Sequence, residues 1–77
     1  MSLSEILRGI VADLVENPDE INIVEEVHGK DVRLTLSVAE GDMGKVIGRR
    51  GKIAKAIRAV MKAAANVQNK RVTVDIR

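Results

Sequence analysis

The sequence predicts an α+β domain in which helices cover one face of a three-stranded mixed sheet. Three observations lead to that fold class. Apolar residues recur every three or four positions in some segments, which is typical of amphipathic helices, and alternate in others, which is typical of strands. A short turn joins the first two predicted strands, whereas two predicted helices separate the second strand from the third. The order is therefore α-β-β-α-α-β, and residues 1–77 form one domain with a single core.

The first predicted helix spans residues 2–16. Ser2 and Glu5 have the spacing of a capping box at its start. Asn17-Pro18-Asp19 is expected to end it, since the residue before a proline is disfavoured in the helical region. The apolar positions follow helical spacing and are Leu3, Ile6, Leu7, Ile10, Val11 and Leu14. We expect this face to pack on the sheet.

Two strands follow, residues 21–28 and 32–38, joined by the turn His28-Gly29-Lys30-Asp31. Only a hairpin makes so short a connection, so these strands are expected to be antiparallel neighbours. The last strand, residues 71–77, follows two helices, and such a crossover should be right-handed and make it parallel to the second strand. The inward-facing residues are expected to be Val32, Leu34, Leu36, Val38, Val72, Val74 and Ile76.

The segment between the second and third strands contains two predicted helices. Asp42 is placed as the N-cap of a short helix, residues 43–47, and Gly44 within it leaves room for a ligand backbone. A longer helix, residues 52–66, has two faces. Its apolar set consists of Ile53, Ile57, Val60, Met61 and Ala64. Its basic face, called the basic stripe below, consists of Lys52, Lys55, Arg58 and Lys62.

These two helices are joined by Gly48-Arg49-Arg50-Gly51, called the GRRG loop below. Neither glycine has a Cβ, and both can adopt positive φ, so another molecule can approach the backbone closely. The arginines between them have no apolar role and are expected to face outward. A helix beginning at Gly51 also points its unpaired N–H groups and the positive end of its dipole into the same place. The loop therefore predicts a binding site for phosphate groups.

The net charge of +2 conceals an uneven distribution. Residues 1–40 hold 3 basic and 9 acidic residues, a net charge of −6, whereas residues 41–77 hold 10 basic and 2 acidic residues, a net charge of +8. A clustered basic surface attracts polyanions. Attraction between the two halves within the fold would explain the same split, but the coincidence with the GRRG loop favours a polyanionic partner.

Several residue types are absent from the chain. Without Phe, Tyr or Trp, the protein cannot stack bases on aromatic rings as RRM and OB-type modules do. The absence of Cys excludes disulfides and thiolate metal sites and favours a reducing compartment. No apolar run approaches the length of a membrane span or resembles a signal peptide. We therefore expect a cytoplasmic protein without membrane insertion.

Catalysis has little support in the sequence. His28 is the only histidine and lies in a predicted turn, and the adjacent Glu25 and Glu26 point to opposite faces of a strand. The glycines around Val46 match neither a P-loop nor a dinucleotide-binding fingerprint. We expect no catalytic residues, no metal site and no cofactor.

The segment Gly44-Lys45-Val46-Ile47-Gly48-Arg49-Arg50-Gly51 resembles the KH signature G-x-V-I-G-x-x-G. The element order is that of the type II KH domain, and the resemblance covers the whole chain. The stand-alone size and the run GRRGKIAKAIR are most similar to the small bacterial KH proteins of the KhpA type. Many KH domains place Ile where this chain has Ala54, and the small bacterial proteins are similar to it in having Ala.

The resemblance implies a single-stranded RNA-binding protein that clamps about four nucleotides. It implies that Gly48, Arg49, Arg50 and Gly51 hold the sugar-phosphate backbone. The groove and its charged surroundings would consist of Gly44, Lys45, Ile47, Lys52, Lys55, Arg58 and Val74. The resemblance also implies an RNA chaperone or post-transcriptional regulator, linked to cell-wall growth and cell length, that acts with a second KH protein.

Other interpretations remain open at this point. A KH-fold protein-interaction or dimerisation module would use the first helix and the final edge strand and bind little or no RNA. Such a module has no need of two arginines between the glycines. Single-stranded DNA is a further candidate ligand, since only contacts to the 2′-hydroxyl exclude it. Because no aromatic ring stacks the bases, one module should bind weakly, which favours a homodimer or heterodimer.

Overall fold

The computed structural model describes all 77 residues and has the predicted order of helices and strands. The helices are α1 (Leu3–Ala12), α2 (Met43–Ile47) and α3 (Lys52–Val67), and the strands are β1 (Asn22–His28), β2 (Asp31–Ser37) and β3 (Arg71–Ile76). Short 3-10 turns at Pro18–Glu20, Glu40–Asp42 and Arg49–Gly51 lie in the connections. None of the helices combines the length and the apolarity needed to cross a bilayer.

The sheet has the order β1-β2-β3. β1 and β2 are antiparallel, as predicted from their short turn, and β2 and β3 are parallel, as predicted from the two-helix crossover. In this register Leu34 lies opposite Val74, and both side chains are buried. The alternation predicted for the central strand is therefore confirmed, and one face of the sheet supports the helices.

α1 begins as predicted and ends earlier than predicted. Ser2 and Glu5 form the capping box, with the Glu5 N–H donating to the Ser2 hydroxyl at 3.1 Å and the Ser2 N–H to the Glu5 carboxylate at 2.9 Å. The predicted end at residue 16 was wrong, because the helix stops at Ala12. The N–H groups of Glu16 and Asn17 donate to the Asp42 carboxylate instead of to helix carbonyls.

The core lies between the sheet and the helices α1 and α3. Its buried apolar residues are Leu3, Leu7, Val11, Ile21, Val32, Leu34, Leu36, Val46, Ala54, Ile57, Met61, Ala65 and Val74. Val60 belongs to the apolar set of α3 but lies outside the core, since it is 51% exposed. Val60 points about 100° away from Met61 around α3, and no element covers that side of the helix.

Candidate nucleic-acid interface

The GRRG loop reverses the chain between α2 and α3 within four residues. Gly48, Arg50 and Gly51 have φ values of 74°, 56° and 73°. The Gly48 N–H donates to the Gly44 carbonyl at 2.8 Å and closes α2, and the Gly51 N–H donates to the Gly48 carbonyl at 3.1 Å. Gly51 is the N-cap residue of α3, so the helix starts where expected, but the Lys52 N–H also donates to the Arg49 carbonyl, and the first N–H groups are therefore not all free as expected. The start of this long helix therefore lies directly behind the loop.

The two loop glycines are required for different physical reasons. A Cβ on Gly48 would lie 2.9 Å from the backbone nitrogen of Ile53 and closer still to its Cγ1. Gly48 is thus needed both for its φ and for the space against Ile53. A Cβ on Gly51 would meet nothing within 4 Å, so only the positive φ favours glycine there. The loop is held in its shape by packing on one side and is open on the other.

Arg49 and Arg50 are both exposed, and their side chains take no part in the ion pairs or hydrogen bonds within the protein. Arg50 also has the left-handed conformation (φ 56°, ψ 26°), which costs a residue with a Cβ about 1–2 kcal/mol. The fold thus places two guanidinium groups at the tip of the loop, where neither is neutralised by a carboxylate of the chain.

The basic stripe continues from the loop along the exposed side of α3. Lys52, Lys55 and Lys62 are exposed and unpaired. Arg58 differs, because its Nε donates to the Val74 carbonyl of β3 at 3.0 Å. This bond fixes the guanidinium beside the free edge of the sheet.

A shallow groove runs between α3 and β3, and we call it the α3–β3 groove. It has a volume of about 310 Å³. Its lining residues are Arg58, Lys62, Val72, Thr73, Val74 and Asp75. Val74 is only 4% exposed, so it contributes little accessible surface to the groove. Ile47 is 38% exposed, and the space where a Gly44 Cβ would lie is empty to 4 Å.

Lys45 is the predicted site residue whose charge is most nearly compensated. Its Nζ lies 3.0 Å from a Glu16 carboxylate oxygen and 3.3 Å from Asp42 Oδ1. The hydrogen bond to Glu16, with a further contribution from Asp42, raises the pKa of Lys45 above its ordinary value. Lys45 therefore contributes less to an anion site than the free lysines of α3 do.

The Asp42 side chain connects the start of α2 to the segment that follows α1. It stands at the N-cap position of α2, but its side chain makes no capping bond there, and the predicted capping role was wrong. Its carboxylate accepts the N–H groups of Glu16 at 3.1 Å and Asn17 at 3.0 Å, and the Asn17 side-chain amide at 3.1 Å. The Glu16 N–H is the largest cause of a lowered pKa of Asp42. This buried carboxylate fixes the helix that leads into the GRRG loop.

An apolar depression lies on the other side of α3, with Ala56 and Val60 exposed, Ile10, Leu14 and Ile53 half-buried, and Ile57 buried at its base. These six residues are called the apolar patch. Lys55, Arg58 and Lys62 point about 140–160° away from Val60 around the helix, whereas Lys52 is only about 80° from it, so the apolar patch faces away from most of the basic stripe. No group of three or more His, Asp or Glu side chains forms a metal-binding cluster.

The family model of the KhpA/KhpB KH domain matches residues 4–76. The chain belongs to the KhpA/KhpB family of KH domains. It is 50% identical over 74 residues to an RNA-binding protein KhpA of Clostridium acetobutylicum, which covers 96% of this chain and 99% of the relative. It is 40% identical over 74 residues to a KhpA of Bacillus subtilis, covering 96% and 91%. The predicted type II KH fold is thereby confirmed.

Proposed function

We propose that this protein binds single-stranded RNA and that the GRRG loop grips its sugar-phosphate backbone. The observation that carries this proposal is the pair Arg49 and Arg50, which is exposed, unpaired and flanked by glycines with positive φ. The names of the KhpA relatives support RNA as the ligand. Phosphate groups would contact the guanidinium groups and displace bound counterions, which gives affinity without sequence information. Three to five such contacts correspond to a slope of log affinity against log salt of about −2 to −3.5.

The bases would lie next to the loop, over Gly44 and Ile47 and in the α3–β3 groove. Since the Val74 carbonyl holds only Arg58 Nε, the other guanidinium N–H groups stay available to bind base edges or phosphates. Each base gains little without an aromatic ring to stack on. Binding by one module is therefore weak and tolerant of sequence. That behaviour suits a cytoplasmic RNA chaperone or post-transcriptional regulator, and the link to cell-wall growth and cell length follows from the family resemblance.

Pairing of two modules on one RNA would increase the effective affinity. The apolar patch supports such pairing, because Ala56 and Val60 are exposed there and most of the basic stripe faces away from it. We propose that a second copy, or a second KH-containing RNA-binding protein, covers it. Both basic stripes would then stay accessible to one RNA strand.

A KH-fold interaction module with little RNA binding is the second candidate, and the apolar patch is the observation that favours it. The two functions differ in what the loop arginines do. Only the RNA-binding function requires them.

The decisive variant is Arg49→Asp with Arg50→Asp, titrated with fluorescent single-stranded RNA at fixed salt. We expect most of the affinity to be lost while the circular-dichroism spectrum and melting temperature stay unchanged. Arg49→Asp and Arg50→Asp are also titrated singly, with Arg8→Asp as the control, since it changes the net charge as much as each single substitution and removes only a 3.4 Å hydrogen bond to the Ile21 carbonyl. Parental RNA affinity in the double loop variant would exclude the loop mechanism. A parallel titration with DNA of the same sequence distinguishes the two nucleic acids.

A further inference from the structure

The α3–β3 groove does not end at Lys62. A second depression of about 280 Å³ shares Lys62 with it and continues to Lys70. A third, of about 300 Å³, shares Lys70 with the second and reaches Lys30 in the β1–β2 turn. The three depressions therefore adjoin one another in a row, called the trough below, from Arg58 towards the end of α3 opposite the GRRG loop.

Backbone hydrogen bonds bring the lysines at this far end together from different parts of the chain. Asn69 adopts the left-handed conformation (φ 57°) after α3, and the Lys70 N–H donates to the Ala65 carbonyl at 2.8 Å, as in a Schellman motif. The Arg71 N–H donates to the Lys30 carbonyl at 2.9 Å. The β1–β2 turn is thereby tied to the start of β3, and Lys30 is held beside Lys70.

The trough is cationic, and its lysines are not neutralised by the protein. Lys30, Lys62 and Lys70 are exposed and form no ion pair. Arg71 is compensated by two bonds to the Asp31 carboxylate, of 2.7 Å and 3.3 Å. The one carboxylate that lines the trough is Asp75, which lies 3.8 Å from the Arg33 guanidinium. Three free ammonium groups therefore face one carboxylate that already has a partner.

We propose that Lys30 and Lys70 form a second phosphate-binding site and that bound RNA follows the trough from the GRRG loop to this site. The proposal rests on the proposed function, because it extends the same RNA track. The 16-residue helix α3 is about 24 Å long and separates the GRRG loop at its start from Lys30 and Lys70 beyond its end. The bound segment is therefore longer than the about four nucleotides that a KH loop clamps.

Single-stranded RNAs of about four and about eight nucleotides distinguish a loop-only site from the longer track. Anisotropy titrations at several salt concentrations compare the parent with Lys30→Gln/Lys70→Gln and with Lys30→Arg/Lys70→Arg, which keeps both charges. We expect the parent to bind the longer RNA more tightly. The Gln variant should lose that gain, with a salt slope shallower by about 1.4, or 0.7 for each of two phosphates. The Arg variant should retain the gain, and all three proteins should bind the shorter RNA equally.

Two results would overturn the proposal in distinguishable ways. If the Gln variant binds the longer RNA with the parental affinity and salt slope, the second phosphate site is wrong and the GRRG-loop function stands. If the parent binds neither RNA, the proposed function fails and the second site fails with it. Circular dichroism of both variants confirms that each retains the fold.

Discussion

Alanine substitutions at three glycines in and before the GRRG loop should change stability by different amounts and with different signs. Gly48 has φ 74° and ψ 174°, a region that only glycine occupies readily, and a Cβ there collides with Ile53. Gly51 has φ 73° but open space around it. Gly44 lies within α2 and also has open space. The three positions thus separate backbone strain, steric overlap and helix propensity.

The expected magnitudes follow from these environments. At Gly48→Ala, backbone strain costs about 1–3 kcal/mol and displacement of Ile53 about 1–3 kcal/mol more. A 77-residue domain has a free energy of unfolding of about 4–12 kcal/mol, and each kcal/mol shifts Tm by about 4–8 °C. Gly48→Ala should therefore lower Tm by about 10 °C or more. Gly51→Ala should cost about 1–2 kcal/mol, and Gly44→Ala should add up to about 1 kcal/mol of stability.

Thermal and urea unfolding followed by circular dichroism measure this series, and RNA titration of Gly44→Ala adds an independent readout. Since the open space at Gly44 is where RNA is proposed to approach, Gly44→Ala should be more stable than the parent and yet bind RNA more weakly. A Gly48→Ala protein that melts within a few degrees of the parent would refute the reasoning. So would a Gly44→Ala protein that is strongly destabilised.

Three further predictions concern side chains around the loop. Asp42→Asn should lower Tm at neutral pH. Because the folded state lowers the Asp42 pKa, the stability from this carboxylate is present above its ordinary pKa of 3.8 and is lost as the pH falls through the lower folded value. Melting curves from pH 6 to pH 2 should therefore show less acid destabilisation in Asp42→Asn than in the parent, and an equal loss in both would contradict this role. Arg58→Lys keeps the charge but removes the Nε donor to the Val74 carbonyl, so RNA affinity should fall several-fold with an unchanged salt slope. Parental RNA affinity in this variant would show that the Arg58–Val74 bond does not contribute to RNA binding. Val60→Asp should abolish the self-association proposed for the apolar patch, as measured by light scattering, and keep the circular-dichroism spectrum of the parent, because Val60 is 51% exposed. A variant that self-associates like the parent would exclude the apolar patch as the pairing surface.

The fold and the loop were predictable because their signals are local. Alternating residues such as Val32 and Leu34, the capping pair Ser2 and Glu5, and the short turn after β1 each determine their own element. The two loop glycines likewise predict positive φ values within a four-residue segment. Each of these features depends on neighbours a few positions away, which a sequence displays directly.

The features that sequence reasoning missed depend on contacts between distant residues. Asp42 was placed as a local cap, but it accepts N–H groups from residues 25 and 26 positions earlier. The Arg58–Val74 bond spans 16 positions, and the approach of Lys30 to Lys70 depends on the pairing of β2 with β3. Val60 has helical spacing for a core residue, and only the absence of an element above it leaves it exposed. No local pattern distinguishes such cases.

The most direct test of the central claim is a titration of the isotope-labelled protein with short single-stranded RNA, followed by backbone amide chemical shifts. The account predicts that the largest changes occur at Gly48, Arg49, Arg50 and Gly51, with a second set along the α3–β3 groove. The amides of Ile10, Leu14 and the other residues of the apolar patch should change little at the same RNA concentration. Shift changes centred on the apolar patch, with the GRRG loop unaffected, would contradict it.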